Sequence, residues 1–126
     1  MIAAMRYAMI VTVLLVAMGA SHAAETAAER EIKQLLSFVE NSGCTFIRND
    51  QHYAGAAARE HLEMKYRHTH NNIETAEDFI RLVASGSRTS GKSYRVRCAG
   101  EEQTSEAWLR SELTRLRSEE RKRTVK

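Results

Sequence analysis

Hydrophobic residues recur every three to four positions in four stretches of the chain, which predicts four short helices. The first is predicted to begin at a capping box formed by Thr26 and Glu29 and to end at Gly43. The other three cover about residues 55–67, 75–84 and 105–117. Their buried positions are predicted, helix by helix, to be Ile32, Leu35, Leu36 and Val39; Ala58, Leu62 and Tyr66; Phe79, Ile80 and Val83; and Trp108, Leu109, Leu113 and Leu116.

The amino terminus carries a different hydrophobic pattern, in which an uncharged run, Tyr7–Met18, follows the positive charge of Arg6. This run is shorter than the about 20 residues needed to span a membrane. Ser21 and Ala23 place small side chains at the positions that a signal peptidase accepts. Residues 1–23 are therefore predicted to be a secretory signal peptide that is cleaved after Ala23, and the protein is expected to be periplasmic or secreted. An uncleaved membrane anchor is the alternative.

Two stretches, Cys44–Arg48 and Tyr94–Cys98, are predicted to be strands, and each contains one of the two cysteines. In an exported protein these cysteines are expected to form a disulfide, with free reactive thiols or a metal site as the alternative. A disulfide requires Cα atoms within about 7 Å of each other. Because Cys44 starts one strand and Cys98 ends the other, the two strands are predicted to pair in antiparallel orientation.

The predicted fold class is α+β, with about four short helices packed on a two-stranded antiparallel sheet and one disulfide. Counting along both strands from the disulfide places Phe46 opposite Val96. Residues 24–117 are predicted to form this single small domain. Residues 118–126 lack an apolar period, and they are predicted to be a basic, frayed tail.

Composition and charge narrow the choice of function classes. The chain has 126 residues, of which 43% are apolar and 28% are charged, and this allows one domain with a modest core. Its formal net charge is +3, but residues 110–126 alone contain seven basic and three acidic side chains. The basic excess thus belongs to residues 110–126. Nucleic acid is not expected as a partner, because its binding requires a basic folded face with stacking aromatic residues.

Residues 86–93, Gly-Ser-Arg-Thr-Ser-Gly-Lys-Ser, match the letters of the nucleotide-binding P-loop motif. A functional P-loop follows a buried strand and opens a helix. This segment follows a predicted helix and opens a predicted strand, and no second strand ending in a magnesium-binding Asp is evident. The match is interpreted as coincidental, and no nucleotide, metal or other cofactor is predicted.

Polar donors are predicted to concentrate at the end of the sheet opposite the disulfide. There Arg48 and Asn49 are expected to meet a Ser/Gly-rich loop that contains Arg88, Ser90 and Lys92. Backbone N–H groups of such a loop can form a concave nest for an anion, and the cationic side chains would add charge-assisted hydrogen bonds. These five residues are the candidate anion or ligand site.

Two other interpretations involve neighbouring residues. In a purely structural one, Arg48 stacks on Tyr94 and the loop hydroxyls bond within the loop. In the other, His61 and Lys65, one helical turn apart, combine with a loop serine as a hydrolase centre. His61 and Lys65 are the weaker site candidates, because no nucleophile elbow or Asp partner is evident, and no catalytic residue is assigned.

A series of segments appears along the chain in a distinctive order. The segments are Ser42–Asn49, His61-Leu62 with Lys65, Ala84-Ser85, Ser90–Tyr94, Cys98 and Trp108-Leu109. In this order they resemble small exported proteobacterial proteins of an uncharacterised family, domain of unknown function 5329. Asp50 stands where the pattern of that family has glycine. The resemblance implies a periplasmic or secreted protein and brings no known activity, ligand or catalytic residue.

Together these observations favour a non-catalytic binding module or envelope accessory module, with a small periplasmic hydrolase using a Ser/His/Lys site as the alternative function. The expected binding partner is an envelope component, a small anion or another protein. In the accessory version, the C-terminal tail alone makes the contacts.

Overall fold

A computed structural model describes residue 19 and residues 23–125, so the uncharged run Tyr7–Met18 of the predicted signal peptide lies outside the described residues. The helices are α1 (Ala27–Asn41), α2 (Gly55–Thr69), α3 (Ala76–Phe79) and α4 (Ser105–Thr124). The strands are β1 (Thr45–Arg48), β2 (Gln51–Tyr53), β3 (Arg95–Cys98) and β4 (Glu101–Thr104). A 3₁₀ turn, His70–Asn72, follows α2, and a π-helical turn, Ile80–Ala84, continues α3.

The strands form one antiparallel sheet with the order β2-β1-β3-β4. Its central pair is β1 with β3, in which Phe46 lies opposite Val96, as predicted. The α+β class with four helices is confirmed. The prediction of two strands was wrong, because β2 and β4 flank the central pair on either side.

Both additional strands are joined to the central pair by two-residue hairpin turns. Asn49 and Asp50 have φ of 50° and 65°, and Ala99 and Gly100 have φ of 50° and 83°. Positive φ at both central residues is the type I′ geometry, whose twist matches that of paired strands. The additional strands were missed because β2 has three residues and β4 is polar and largely exposed, so neither shows an apolar alternation.

Three of the four helices, α1, α3 and α4, begin at threonines whose hydroxyls cap them. The Thr26 hydroxyl accepts from the backbone N–H of Glu29, and the Glu29 carboxylate accepts from the backbone N–H of Thr26, which confirms the capping box of α1. Gly43 follows α1 with φ of 70°, as expected for a glycine that ends a helix. At the start of α4, the Thr104 hydroxyl accepts from the backbone N–H of Ala107.

The core lies between the helices and one face of the sheet. The largest fully buried side chains come from α1, α3 with its π-helical turn, α4 and β3: Phe79, Ile32, Leu35, Ile80, Leu109, Val39, Val83 and Val96. Trp108 joins α4 to the other layers. Its ring stacks on Phe38 with 4.4 Å between centroids and meets the edge of Phe46 at 5.5 Å.

The predicted disulfide between Cys44 and Cys98 is present, with 4.7 Å between the Cα atoms. It joins the residue before β1 to the last residue of β3, and the two cysteines are 54 positions apart in the sequence. In the chain-entropy model, a loop of this length stabilises the folded state by about 4 kcal/mol.

The last helix is longer than the apolar pattern indicates, since α4 includes residues 118–124 of the predicted tail. These residues are partly or fully exposed, and the one ion pair that they form with another helix among the described residues joins Glu120 to Arg30 of α1 at 3.3 Å. Fraying of this segment in solution stays a prediction. No helix within the described residues is both long and apolar enough to cross a membrane.

Candidate functional site

A cleft of about 310 Å³ opens between α2 and the β1–β2 hairpin. Buried hydrophobic residues form its floor: Val39, Phe46, Leu62, Ala84 and Leu109. Ala57 and Ala58 line the wall formed by α2, and Met64 lies at the rim with 46% of its surface exposed. This volume is at the lower end of the range for small-molecule sites.

The register of the hairpin turns Arg48 toward the cleft. Phe46 pairs with Tyr53, so both side chains share one face of the sheet, and Arg48 shares that face two residues further along β1. The Arg48 guanidinium lies 5.1 Å from the centre of the Tyr53 ring and donates to the Tyr53 hydroxyl at 3.2 Å. The structural interpretation predicted Tyr94 as the aromatic partner, and the partner is Tyr53.

The charge of the cleft is predominantly positive. Arg48 and Arg67 line it against one carboxylate, Glu60, whereas Arg95 borders it with its side chain on the opposite face of the sheet, because Arg95 pairs with Ile47. Arg95 is paired with Glu102 of the adjacent strand at 2.9 Å. Within residues 23–125, no carboxylate forms an ion pair with Arg48.

Behind Arg48, a chain of hydrogen bonds runs from Lys65 to His61. The Lys65 ammonium donates to the carbonyl oxygens of Val83 and Gly86, at 2.7 and 2.9 Å, and to the Tyr94 hydroxyl at 2.9 Å. The Tyr94 hydroxyl lies 3.3 Å from His61 Nε2. Since an ammonium has three donors, Lys65 is fully engaged in joining α2 to the end of the π-helical turn.

The environment of this chain disfavours additional positive charge. Burial, together with the charges of Arg88 and Arg48, lowers the pKa of Lys65 to about 8. Burial also lowers the pKa of His61, with further lowering by the charges of Arg48 and Lys65. At neutral pH, His61 is therefore uncharged and Lys65 is predominantly an ammonium.

The sheet end predicted as the anion site does meet the Ser/Gly-rich loop. The Ser90 hydroxyl donates to Asn49 Oδ1 at 2.6 Å, and Lys92 Nζ is paired with Asp50 at 2.7 Å. The backbone N–H groups of Ser87, Ser90, Gly91 and Lys92 donate within the loop, so these donors of the proposed nest are engaged within the protein. Of the five predicted site residues, Arg48 alone lines the cleft.

The predicted hydrolase centre brings His61 and Lys65 close to Tyr94 instead of to a serine. Within the described part of the chain, no loop serine is hydrogen-bonded to His61 or Lys65. The P-loop-like segment, residues 86–93, lies between the π-helical turn and β3, as the sequence indicated. Across residues 23–125, no three His, Cys, Asp or Glu side chains are grouped so that they could hold a metal ion.

Sequence reasoning missed Tyr53 and Met64 as cleft residues. Tyr53 lies on β2, which was not predicted, although Asn49-Asp50 is a sequence typical of a two-residue hairpin turn. Met64 lies outside the apolar stripe that Ala58, Leu62 and Tyr66 form along α2. Its position beside the cleft is therefore visible only in the tertiary structure.

Comparison with known families matches residues 19–117 to the family of unknown function DUF5329. The chain belongs to this family. A Salmonella typhimurium LT2 relative, named "Uncharacterized protein YfeK", is 39% identical over 67 residues. That alignment covers 52% of this chain and 56% of the relative, so the chain spans about half the length of the relative it matches. No solved structure matches the chain.

Proposed function

We propose that this DUF5329 protein is an exported, non-catalytic module that binds a small acidic ligand in the cleft between α2 and the hairpin. The observation that carries the proposal is the position of Arg48. Its half-buried guanidinium lies on the core-side face of β1, at the mouth of an apolar cleft, and no carboxylate of residues 23–125 forms an ion pair with it.

An acidic ligand would complete the interactions of Arg48. A guanidinium holds its donors in a planar fork that fits a carboxylate or phosphate, and such charge-assisted bonds are about twice as strong as neutral ones. Tyr53 already takes one donor and fixes the orientation of the side chain. Arg67 also lines the cleft, and its charge favours an anion there.

A catalytic role has less support from the arrangement. Lys65 has its three donors engaged by two carbonyl oxygens and the Tyr94 hydroxyl, and His61 approaches a tyrosine and no serine among the described contacts. A nucleophile activated by an adjacent base is the minimum that covalent hydrolysis requires. We therefore favour binding over hydrolysis.

Export is supported by the pattern of residues 1–23 and by the disulfide, because disulfides persist in oxidising compartments. The test is the intact mass of the protein recovered from the periplasm or medium of a bacterial host. A mass that begins at Ala24 and contains no free thiol supports export. A mass that retains residues 7–18 would instead indicate an anchor.

Ligand binding is tested by a thermal-shift screen of the purified domain with sulfate, phosphate and simple carboxylates. A ligand present at about 100 times its Kd stabilises the folded state by about 2.7 kcal/mol, which raises Tm by several degrees. The shift should disappear in Arg48→Gln and persist in Arg97→Gln, which alters an arginine on the opposite face of the sheet. Equal shifts in both variants would place binding elsewhere and contradict the proposal.

A further inference from the structure

The apolar floor of the cleft defines the ligand class further, on the basis of the proposed function. We infer that the ligand is amphipathic: a carboxylic acid whose head pairs with Arg48 and whose apolar body, of medium length, lies along α2. The inference depends on two features found together, a cationic mouth and an apolar interior.

The interior of the cleft is mainly apolar. Phe46 and Leu62 lie at the bottom, the methyl groups of Ala57 and Ala58 form the helical wall, and the two aromatic rings nearest the mouth belong to tyrosines. A bare inorganic anion would contact the mouth and leave this surface to water. An apolar body would remove it from water, with a gain of about 25 cal/mol per Å² of apolar area.

Met64 points to the same conclusion. Within residues 23–125, the large hydrophobic side chains that are exposed are Met64 and Val125, and Val125 lies at the end of α4. An exposed methionine at the rim of an apolar cleft is typical of surfaces that bind apolar ligands of variable shape, because the unbranched thioether adapts to them. The position of Met64 extends the apolar path from the floor to the surface.

The cleft volume sets an upper limit on ligand size. At about 310 Å³, the cleft accommodates a small molecule and would leave most of a long-chain lipid outside. Two sources supply acids of this size with an apolar body, medium-chain fatty acids and aromatic carboxylic acids. Both share the chemistry that the cleft recognises.

The test is a calorimetric titration of the domain with a series from acetate to decanoate. Each methylene that enters the cleft should lower Kd by about fourfold, since its burial is worth about 0.8 kcal/mol. The gain should stop once the chain outgrows the cleft. Phenylpropionate in a parallel titration distinguishes an aromatic from an aliphatic body, and octanol provides the same tail without the acid.

Matched variants locate the apolar body. Ala57→Phe places a ring in the cleft from an exposed position of α2, so it should abolish octanoate binding while leaving the fold intact. Ala56→Phe makes the same change one residue away, outside the cleft, and should bind octanoate normally. Arg48→Gln should weaken octanoate binding at least tenfold and leave octanol unaffected.

The possible failures are distinguishable. If acetate binds as tightly as octanoate and both depend on Arg48, the acidic site stands and the amphipathic ligand is overturned. If octanol binds as tightly as octanoate, the acidic ligand itself is overturned. If Ala57→Phe binds octanoate normally, the body lies outside the cleft and the inference fails.

Discussion

Gly55 is the residue at which α2 approaches the backbone of α1. A Cβ atom added to Gly55 would lie 2.6 Å from the carbonyl oxygen of Val39 and 2.7 Å from that of Glu40. Both distances are shorter than a van der Waals contact, and neither neighbour is a flexible side chain. The absence of a side chain at Gly55 therefore determines how closely the two helices pack.

Gly55→Ala is expected to destabilise the domain, although alanine favours helices by about 1 kcal/mol over glycine. Displacing packed backbone costs typically 1–3 kcal/mol, so a net loss of about 1 kcal/mol or more is expected, with a Tm lower by about 5 °C or more. The control is Gly100→Asn, at a left-handed position with open space around it, where Tm should change by only about 1–2 °C. An unchanged or higher Tm for Gly55→Ala would show that the helices separate easily.

His61 provides a pH-dependent contribution to stability. The pKa of His61 is lowered in the folded protein by burial and by the charges of Arg48 and Lys65, while the Tyr94 hydroxyl faces its Nε2. The unfolded chain therefore binds a proton at His61 at higher pH than the folded protein does. The stability that neutral His61 contributes is fully present above its pKa in the unfolded chain, about 6.5. It is lost as the pH falls from there through the lower pKa of His61 in the folded protein.

Between pH 7 and 5, the free energy of unfolding should consequently decrease more for the wild type than for His61→Gln. Urea denaturation at each pH measures the difference. His52→Gln, on the exposed strand β2, is the control and should follow the wild type. Parallel curves for the wild type and His61→Gln would show that His61 is equally accessible to protons in both states.

The helices were predictable because their buried residues repeat with a regular period. Ile32, Leu35, Leu36 and Val39 are all buried in α1 as expected, and they define one face of the helix. The strand β4 was not predictable in this way, since three of its four residues are exposed and all four are polar. The π-helical turn is equally invisible in the sequence, because its residues form the same apolar stripe that an α-helix would have.

The end of α4 should be dispensable for folding. Residues 118–125 are partly or fully exposed and form one ion pair with the other helices described, that of Glu120 with Arg30, and such exposed pairs contribute about 0–1 kcal/mol. Deletion of residues 118–126 should leave unfolding cooperative, with Tm lower by a few degrees at most. Deletion of residues 113–126 is the matched control, which also removes buried Leu113 and should destabilise the domain strongly. Loss of cooperative unfolding in the shorter deletion would contradict the prediction.

Arg117 joins three helices through its guanidinium. It donates twice to Glu31 of α1, at 2.8 and 3.1 Å, and also pairs with Glu77 of α3. The Glu31 side chain is 12% exposed, so this carboxylate is largely shielded from water. Nothing in the spacing of these residues indicates the cluster, because the partners lie 86 and 40 positions from Arg117.

Arg117→Gln should destabilise the domain by about 1–2 kcal/mol, because it leaves the shielded carboxylate of Glu31 without a partner. The pKa of Glu77 is lowered chiefly by its hydrogen bond from Arg117. The stability that ionised Glu77 contributes is present above the pKa of Glu77 in the unfolded chain and is lost as the pH falls through its lower pKa in the folded protein. The difference in the free energy of unfolding between the wild type and Arg117→Gln should therefore shrink below about pH 4.5. Arg110→Gln, whose partner Glu106 is exposed on the same helix, serves as the control and should cost less than 1 kcal/mol by the usual range of such pairs. A difference that stays constant down to pH 3 would exclude Glu77 as the source of the pH dependence.

The candidate site shows why a ligand cleft is harder to predict than a core. Arg48 was a predicted site residue, but its direction follows from the pairing of β1 with β2, and its orientation follows from the Tyr53 ring. Lys65 was predicted beside His61, but its partners are carbonyl oxygens of a turn that forms only in the folded chain. Residue identity was readable from the sequence, whereas direction required the tertiary structure.

The stacking of Trp108 on Phe38 has an optical consequence. Trp108 is the one tryptophan of the chain, it is nearly buried, and it does not line the cleft. Its fluorescence emission should therefore shift to longer wavelength when the helical layer opens to water. The Phe46 ring lies between the cleft and the indole, whereas Tyr53 and Tyr94 line the cleft itself. Fluorescence excited at the red edge of the absorption spectrum, where Trp108 alone absorbs, would report unfolding. Tyrosine absorbance would report ligand binding in the cleft, in the same sample and without an added dye.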